Sequence, residues 1–199
     1  LKYDPKNPEW VGRDRFYLDP GHMAPMLYAQ LALIGKYSLE ELAQLRQWGS
    51  PTTGHPEFEV ARGVENTSGP LGQGHTFAVG AAIAAKFLAA HTGNPTFAKE
   101  TIYAYISDGG IQEEISQGAA RIAAVLGLDN LIMFYDSNDI QLSTETADVM
   151  NENTAAKYRA LGWEVLEING NDAAEIRKAI EAAKAVTGKP TLIIGKCIM

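Results

Sequence analysis

Short apolar runs alternate along the chain with longer stretches whose small or apolar residues recur at helical spacing. The apolar runs predict strands at 16–18, 101–106, 131–135 and 163–168, and a last strand that begins after Pro190. The periodic stretches predict helices at 73–91, 111–126 and 153–161, and a final helix from 171 or 172 to 186. Because strands that alternate with helices form parallel βαβ units, the pattern predicts an α/β fold, a three-layer sandwich around a mostly parallel sheet.

The segment between 50 and 74 differs from its surroundings, since it is rich in Gly, Pro, Thr and Ser and shows no regular period. Such a composition favours an extended loop. Long ordered loops in compact domains are usually functional, so this loop is a candidate part of a binding site.

The composition narrows the classes of function. The chain has 199 residues, with 17 Lys and Arg against 24 Asp and Glu, for a net charge of -7. This balance argues against a nucleic acid partner, because phosphate backbones are bound by clustered Lys and Arg. The most apolar stretch, 77–90, is interrupted by Lys86 and is too short to cross a membrane. A single cysteine, Cys197, excludes an internal disulfide and fits a reducing, cytoplasmic compartment.

The two ends of the chain are also informative. The chain begins at Leu1 rather than Met, and it stops at Met199, directly after the apolar run 191–198. A strand-like run with no turn or polar tail after it is an unusual end for a folded protein. We therefore expect residues 1–199 to form one domain that is part of a longer polypeptide.

Two loops follow predicted strands, at 107–110 and 136–140. Ligands of parallel α/β sheets bind at the carboxyl ends of the strands, so these loops are the candidate site. Asp108 lies where a strand gives way to a helix, and the two glycines after it allow a tight turn and a close approach of a ligand. No Lys or Arg occurs from 103 to 120, so a phosphate bound here needs a metal ion as its counter-charge.

The second loop supplies further oxygen ligands. Asn138 follows Asp108 by 30 positions, the length of one βαβ crossover, which brings both side chains to the same edge of a parallel sheet. Magnesium prefers oxygen ligands, takes one or two from protein side chains, and bridges to phosphate. The spacing therefore predicts a metal-bridged diphosphate site. A plainer alternative stays open at this point, in which Asp108 caps a helix and Asn138 forms a turn.

Four motifs together resemble those of thiamine-diphosphate enzymes. Asp108-Gly109 followed by Asn138 resembles the diphosphate signature of that class. Three further segments resemble transketolase motifs, namely 14–22 ending in Gly-His, the Gly-His-Pro-Glu loop at 54–57, and the Gly-rich segment 63–74. The motifs occur in the family's order and cover 7–198. The chain therefore resembles the transketolase domain that binds the cofactor diphosphate. This resemblance implies the thiamine-diphosphate-binding fold.

The resemblance implies roles for particular residues. Asp108 and Asn138 match side-chain ligands of Mg²⁺, with Ca²⁺ or Mn²⁺ as substitutes, and Ile140 matches a carbonyl ligand. Four positions match contacts to thiamine diphosphate: Gly69, Leu71, Gly109 and Glu113, the last joining two cofactor sites across a dimer interface. His22 and His55 match histidines that contact the sugar and assist its proton transfers, a role that suits a group titrating near neutrality.

The implied activity is that of a transketolase of the pentose phosphate pathway. Such an enzyme transfers a two-carbon ketol unit from a ketose phosphate to an aldose phosphate through a thiamine diphosphate carbanion. The implied assembly is a homodimer with its active sites at the subunit interface. The glutamate that activates the cofactor, and most groups that grip the sugar phosphate, belong to a different domain in this family.

Three alternatives remain at this point. Two keep the cofactor, namely 1-deoxyxylulose-5-phosphate synthase and dihydroxyacetone synthase. The third is a non-catalytic nucleotide-binding module, suggested by the glycines at 69–74, although no strand precedes them.

The chain also departs from the family's usual residues at several positions. Ser107 stands where Gly is usual, Asp19-Pro20 replaces Ser-Asn, and 143–145 replaces an Asp-Gly pair. His75 stands where an apolar residue is usual, and we expect it to be structural.

Overall fold

A computed structural model describes residues 1–198 and contains a five-stranded parallel sheet. Its strands are β1 (Arg15–Leu18), β2 (Ile102–Ser107), β3 (Leu131–Ser137), β4 (Glu164–Asn169) and β5 (Thr191–Lys196). Their order across the sheet is β1-β2-β3-β5-β4, with every neighbouring pair parallel. The α/β prediction is confirmed, and the described sheet is parallel throughout rather than mostly so.

Eight α-helices occur in the described part of the chain. They are α1 (Ala24–Leu33), α2 (Leu39–Ala43), α3 (Gln73–Thr92), α4 (Pro95–Ala98), α5 (Asp108–Gln112), α6 (Glu114–Val125), α7 (Thr154–Leu161) and α8 (Ala173–Lys184). Short 3₁₀ turns lie at Gly21–Met23, Val60–Arg62 and Thr146–Asp148. The segment 51–72 is a loop apart from one such turn, so the predicted loop is largely confirmed, although α3 already begins at Gln73.

The helices cover both faces of the sheet, which gives the three predicted layers. Ile102 and Ile106 of β2 pack in one buried cluster with alanines of α3 and α6, whereas Tyr103 packs with alanines of α8. Successive side chains of a strand point to opposite faces, so one strand supplies both halves of the core. Small side chains such as Ala78 and Ala82, both 0% exposed, allow α3 to lie close to the sheet.

The predicted helix 111–126 is wrong in one respect, because the structure has two helices, α5 and α6, separated at Glu113. Glu113 has φ -61° and ψ 134°, an extended conformation. Two later side chains bind carbonyls of α5: Ser116 Oγ donates to the Gly110 carbonyl at 2.7 Å, and Gln117 donates to the Ile111 carbonyl. These bonds satisfy backbone groups that a continuous helix would have paired, so the break leaves them with partners.

Candidate cofactor and substrate site

Asp108 lies at the carboxyl end of β2 and is only 2% exposed. Its Oδ2 accepts a hydrogen bond from the Asn138 backbone N–H at 3.0 Å, and its Oδ1 accepts one from the Tyr135 hydroxyl at 2.5 Å. The structure therefore brings Asp108 and Asn138 together across the ends of two adjacent strands. The helix cap is Ser107, whose Oγ accepts from the Gly110 N–H at 3.4 Å, so Asp108 is not needed as the cap.

The loop after β3 turns sharply beside Asp108. Asn138 Oδ1 accepts from the Ile140 N–H at 3.1 Å, and Asp139 between them has a φ of 65°. Lys196, the last residue of β5, forms an ion pair with the Asp139 carboxylate at 2.5 Å. This pair helps to hold Asp139 in its left-handed conformation. Ile140 thus lies two positions beyond Asn138 at the same edge of the sheet.

The oxygen donors at this edge suit magnesium. No group of three or more His, Cys, Asp or Glu side chains within residues 1–198 is close enough to hold a metal ion. A metal at Asp108 would therefore depend on one carboxylate together with amide, carbonyl and phosphate oxygens. Mg²⁺ is commonly held in this way, with few carboxylates and a shell completed by water and substrate phosphate. The residues present fit a magnesium diphosphate.

Glycines bring three loops into close contact around this edge. A Cβ atom built on Gly109 would lie 2.8 Å from Leu71 Cδ1, and one on Gly21 would lie 2.9 Å from the Gly69 nitrogen. Real Cβ atoms do not approach other atoms so closely, so the loops could not meet in this way with larger residues. The predicted cofactor contacts Gly69, Leu71 and Gly109 thus lie on neighbouring surfaces.

His55 packs on the same glycines. A Cβ on Gly21 would lie 2.9 Å from His55 Cγ, and one on Gly69 would lie 3.0 Å from His55 Nδ1. His22 directly follows Gly21, so both histidines are at this edge of the sheet. Partial burial, and then the charges of His55 and Arg46, lower the pKa of the His22 imidazole, whereas Asp136 acts in the opposite direction. His22 is therefore mostly neutral near pH 7 and is available as a base.

Glu113 is exposed at the break between α5 and α6. A Cβ on Gly72 would lie 2.8 Å from Glu113 Cβ, so the start of α3 packs directly against this residue. The glutamate therefore lies near the Gly-rich loop while its side chain remains accessible from the surface.

Sequence reasoning missed the role of Asp19, which it treated only as a departure from the residues usual in the family. Asp19 is 0% exposed, and its Oδ1 accepts from the Gly74 N–H at 2.9 Å, in the first turn of α3. Its Oδ2 makes no hydrogen bond to any described residue. Burial raises the pKa of this carboxyl, although backbone N–H groups at the start of α3 oppose the shift. The N-cap position of α3 is Gly72, which has no side chain, so Asp19, the residue after β1, caps this helix instead.

His75 lies in the core rather than in the site. It is 0% exposed, its ring packs edge-on to Trp163 at a centroid distance of 6.1 Å, and its nitrogens make no hydrogen bond within the described residues. Burial lowers the pKa of this imidazole to about 4. These contacts agree with the expectation of a structural residue.

The parallel sheet, with Asp108 and Asn138 in contact at adjacent strand ends, defines an α/β domain of the class whose ligands bind at the carboxyl ends of the strands. The family model described as "Transketolase, thiamine diphosphate binding domain" matches residues 1–199. The chain belongs to this family.

The similar proteins agree with this assignment. Transketolase 10 of Craterostigma plantagineum is 48% identical over 97% of this chain and 29% of its own length. Transketolase 1 of Escherichia coli K12 is 44% identical over 100% of this chain and 31% of its own length. A solved transketolase from Campylobacter jejuni has a TM-score of 0.94 and 46% identity, covering 98% of this chain and 31% of that one. The chain thus spans about a third of the length of these relatives.

No helix among the described residues is long and apolar enough to cross a membrane.

Proposed function

We propose that the protein containing this chain is a transketolase, which transfers a two-carbon ketol unit from a ketose phosphate to an aldose phosphate. The observation that carries this proposal is the 3.0 Å hydrogen bond between the Asn138 N–H and Asp108 Oδ2. It joins the ends of β2 and β3 in a chain of the transketolase family. The same contact brings together the residues whose oxygens suit a magnesium diphosphate.

In this proposal the metal is Mg²⁺, with Ca²⁺ or Mn²⁺ able to replace it. The Asp108 carboxylate, the Asn138 amide oxygen and the Ile140 carbonyl hold the ion, which neutralises the diphosphate of thiamine diphosphate. Gly69 and Gly109 let the backbone approach the cofactor, and Leu71 provides an apolar surface. The bound cofactor supplies the carbon nucleophile that two-carbon transfer requires.

His22 and His55 are proposed to act on the sugar. Both lie beside Gly21, next to the Gly69 loop that contacts the cofactor. An imidazole with a lowered pKa accepts a proton from a sugar hydroxyl and returns it later, so His22 suits proton transfer near neutral pH. The exposed His55 ring lies against the backbone of Gly21 and Gly69, next to the proposed cofactor contacts.

The remaining parts of the proposal concern assembly. We propose a homodimer in which the exposed Glu113 joins the two cofactor sites, and in which a further domain completes each active site. The proposed substrates are sugar phosphates, and nucleic acid and membrane are not proposed as partners. A cytoplasmic location is proposed as well, supported by the free thiol of Cys197.

The test uses the full-length protein with Mg²⁺ and thiamine diphosphate. We expect two-carbon transfer from xylulose 5-phosphate to ribose 5-phosphate, lost in Asp108→Ala and kept in Asp148→Ala, an exposed aspartate of the loop after β3. Absence of transfer in folded, cofactor-loaded protein would contradict the reaction and make pyruvate the next donor to test. Unchanged cofactor retention in Asp108→Ala, measured by calorimetry, would contradict the metal site.

A further inference from the structure

Tyr135 is a buried residue of β3 whose hydroxyl reaches the carboxylate at the end of β2. It is 3% exposed, and its hydroxyl donates to Asp108 Oδ1 at 2.5 Å. The other oxygen, Oδ2, accepts from the Asn138 N–H at 3.0 Å. Both oxygens of one carboxylate are therefore held by donors from a single neighbouring strand end.

This arrangement fixes the orientation of the carboxylate without any metal. An ionised carboxylate has about four acceptor positions on its two oxygens, so one hydrogen bond at each oxygen leaves others open. Rotation of the group would break at least one of the two hydrogen bonds. Since Asn138 and Ile140 follow Tyr135 on the same strand end, the phenol also holds Asp108 at a set distance from the other proposed ligands.

The ring of Tyr135 is itself held in place. It belongs to the buried cluster between the sheet and helices α3, α6 and α7. A side chain locked by packing positions its hydroxyl more accurately than an exposed one could. Removing a hydrogen-bond partner of a metal ligand typically lowers metal affinity about 10- to 100-fold.

We propose that Tyr135 is a positioning residue that sets the Asp108 carboxylate for the metal ion, and that Mg²⁺ binding depends on it more than Ca²⁺ binding does. The inference rests on the metal site in the proposed function. Mg²⁺ demands near-ideal octahedral geometry, whereas Ca²⁺ accepts carboxylates in mono- or bidentate form and in flexible geometry. A carboxylate freed from its phenol should therefore lose more affinity for Mg²⁺ than for Ca²⁺.

The test is Tyr135→Phe in the full-length protein, with Mg²⁺ and Ca²⁺ titrated separately by calorimetry at saturating thiamine diphosphate. We expect Mg²⁺ affinity to fall about tenfold and Ca²⁺ affinity to fall less, so that the ratio of Mg²⁺ affinity to Ca²⁺ affinity decreases. An unchanged Mg²⁺ affinity, or an equal loss for both ions, would overturn the proposal.

Tyr158→Phe is the matched control. Tyr158 lies in the same cluster, is 0% exposed, and its hydroxyl makes no hydrogen bond to a described residue. Removal of the Tyr158 hydroxyl should leave both metal affinities unchanged, and thermal unfolding should show that both variants fold.

Asp108→Ala distinguishes failure of the metal site from failure of the role of Tyr135. If Asp108→Ala retains full Mg²⁺ affinity, both the metal site and the role of Tyr135 are rejected. If Asp108→Ala loses Mg²⁺ affinity but Tyr135→Phe keeps the wild-type ratio of Mg²⁺ to Ca²⁺ affinity, only the role of Tyr135 is rejected.

Discussion

The side-chain amide of Asn66 makes two hydrogen bonds to the backbone of Leu18, much as a neighbouring strand would. Asn66 Oδ1 accepts from the Leu18 N–H at 3.1 Å, and Nδ2 donates to the Leu18 carbonyl at 3.0 Å. Leu18 is the last residue of β1, which lies at the edge of the sheet. The contact therefore attaches the Gly-rich loop to the sheet just before Gly21 and His22.

Replacing Asn66 should weaken the site as well as the fold. In Asn66→Ala, two buried backbone groups of Leu18 lose their partners, which should lower the free energy of unfolding by about 2 kcal/mol. Cofactor affinity should also fall, because Gly69 and Leu71 lie on the released loop. Urea unfolding and cofactor calorimetry measure the two effects.

Asn130→Ala is the control for this change. Asn130 also donates to a backbone carbonyl, that of Ala82 at 3.0 Å, but at the opposite end of the sheet. It should affect stability without lowering cofactor affinity. Equal cofactor affinity in the two variants would show that the Asn66 contact does not position the loop.

His55 should act on the substrate rather than on the cofactor. We expect His55→Ala to slow two-carbon transfer in the full-length protein by about 100-fold or more, as is typical when an acid–base group is lost. Cofactor affinity should stay nearly constant, and the exposed His91→Ala should change neither quantity. A matching loss of cofactor binding would instead assign His55 to support of the cofactor.

His75 should make the fold sensitive to acid. Its pKa is lowered from 6.5 to about 4 in the folded protein, so the unfolded chain binds the proton first as the pH falls. Stability should therefore decrease between about pH 6.5 and pH 4, by roughly 3 kcal/mol in total. In His75→Leu this part of the pH dependence should disappear from urea unfolding curves.

The exposed His91, near the end of the same helix, provides the comparison for His75. His91→Gln should retain the wild-type pH dependence. A His75→Leu profile as steep as the wild type would mean that other groups cause the acid sensitivity.

Asp19 should affect the pH dependence of stability in the opposite direction to His75. Burial raises the pKa of its carboxyl, so its contribution to stability is most favourable at acidic pH and is lost as the pH rises through the folded-state pKa. Asp19→Asn keeps an acceptor for the Gly74 N–H and removes the buried charge. We expect this variant to be more stable than wild type near neutral pH, with the gain shrinking towards about pH 4.

Asp172→Asn is the matched variant for Asp19. Asp172 caps α8 by accepting from the Ala174 and Glu175 N–H groups, but it does so in solvent. Its replacement should give no gain in stability at neutral pH. A destabilised Asp19→Asn would show that the ionised carboxylate is needed at the start of α3.

The strands, and the proximity of Asp108 to Asn138, could be predicted from sequence because both depend on local or regularly spaced signals. Buried parallel strands appear as continuous apolar runs, as in β2 and β3. The spacing of 30 residues between Asp108 and Asn138 indicates one crossover, and the strand register then sets the two loops side by side.

Other features depend on contacts that no period reveals. Asp19 binds the Gly74 N–H, 55 positions away, and Asn66 binds Leu18 across 48 positions. The break at Glu113 depends on side chains from the next helix that bind carbonyls of α5. Each is a side chain replacing a backbone partner, which hydrophobic patterning does not detect.

The position of β2 and β3 within the sheet determines how often the backbone beneath the site opens to solvent. Each of these strands has a hydrogen-bonded neighbour on both sides, whereas β1 and β4 lie at the edges. Amide hydrogens of doubly paired core strands exchange with solvent chiefly when the whole domain unfolds, while exposed loops open locally at far lower free energy. The groups proposed to hold the metal therefore lie at the ends of strands whose amide hydrogens should exchange slowly with solvent.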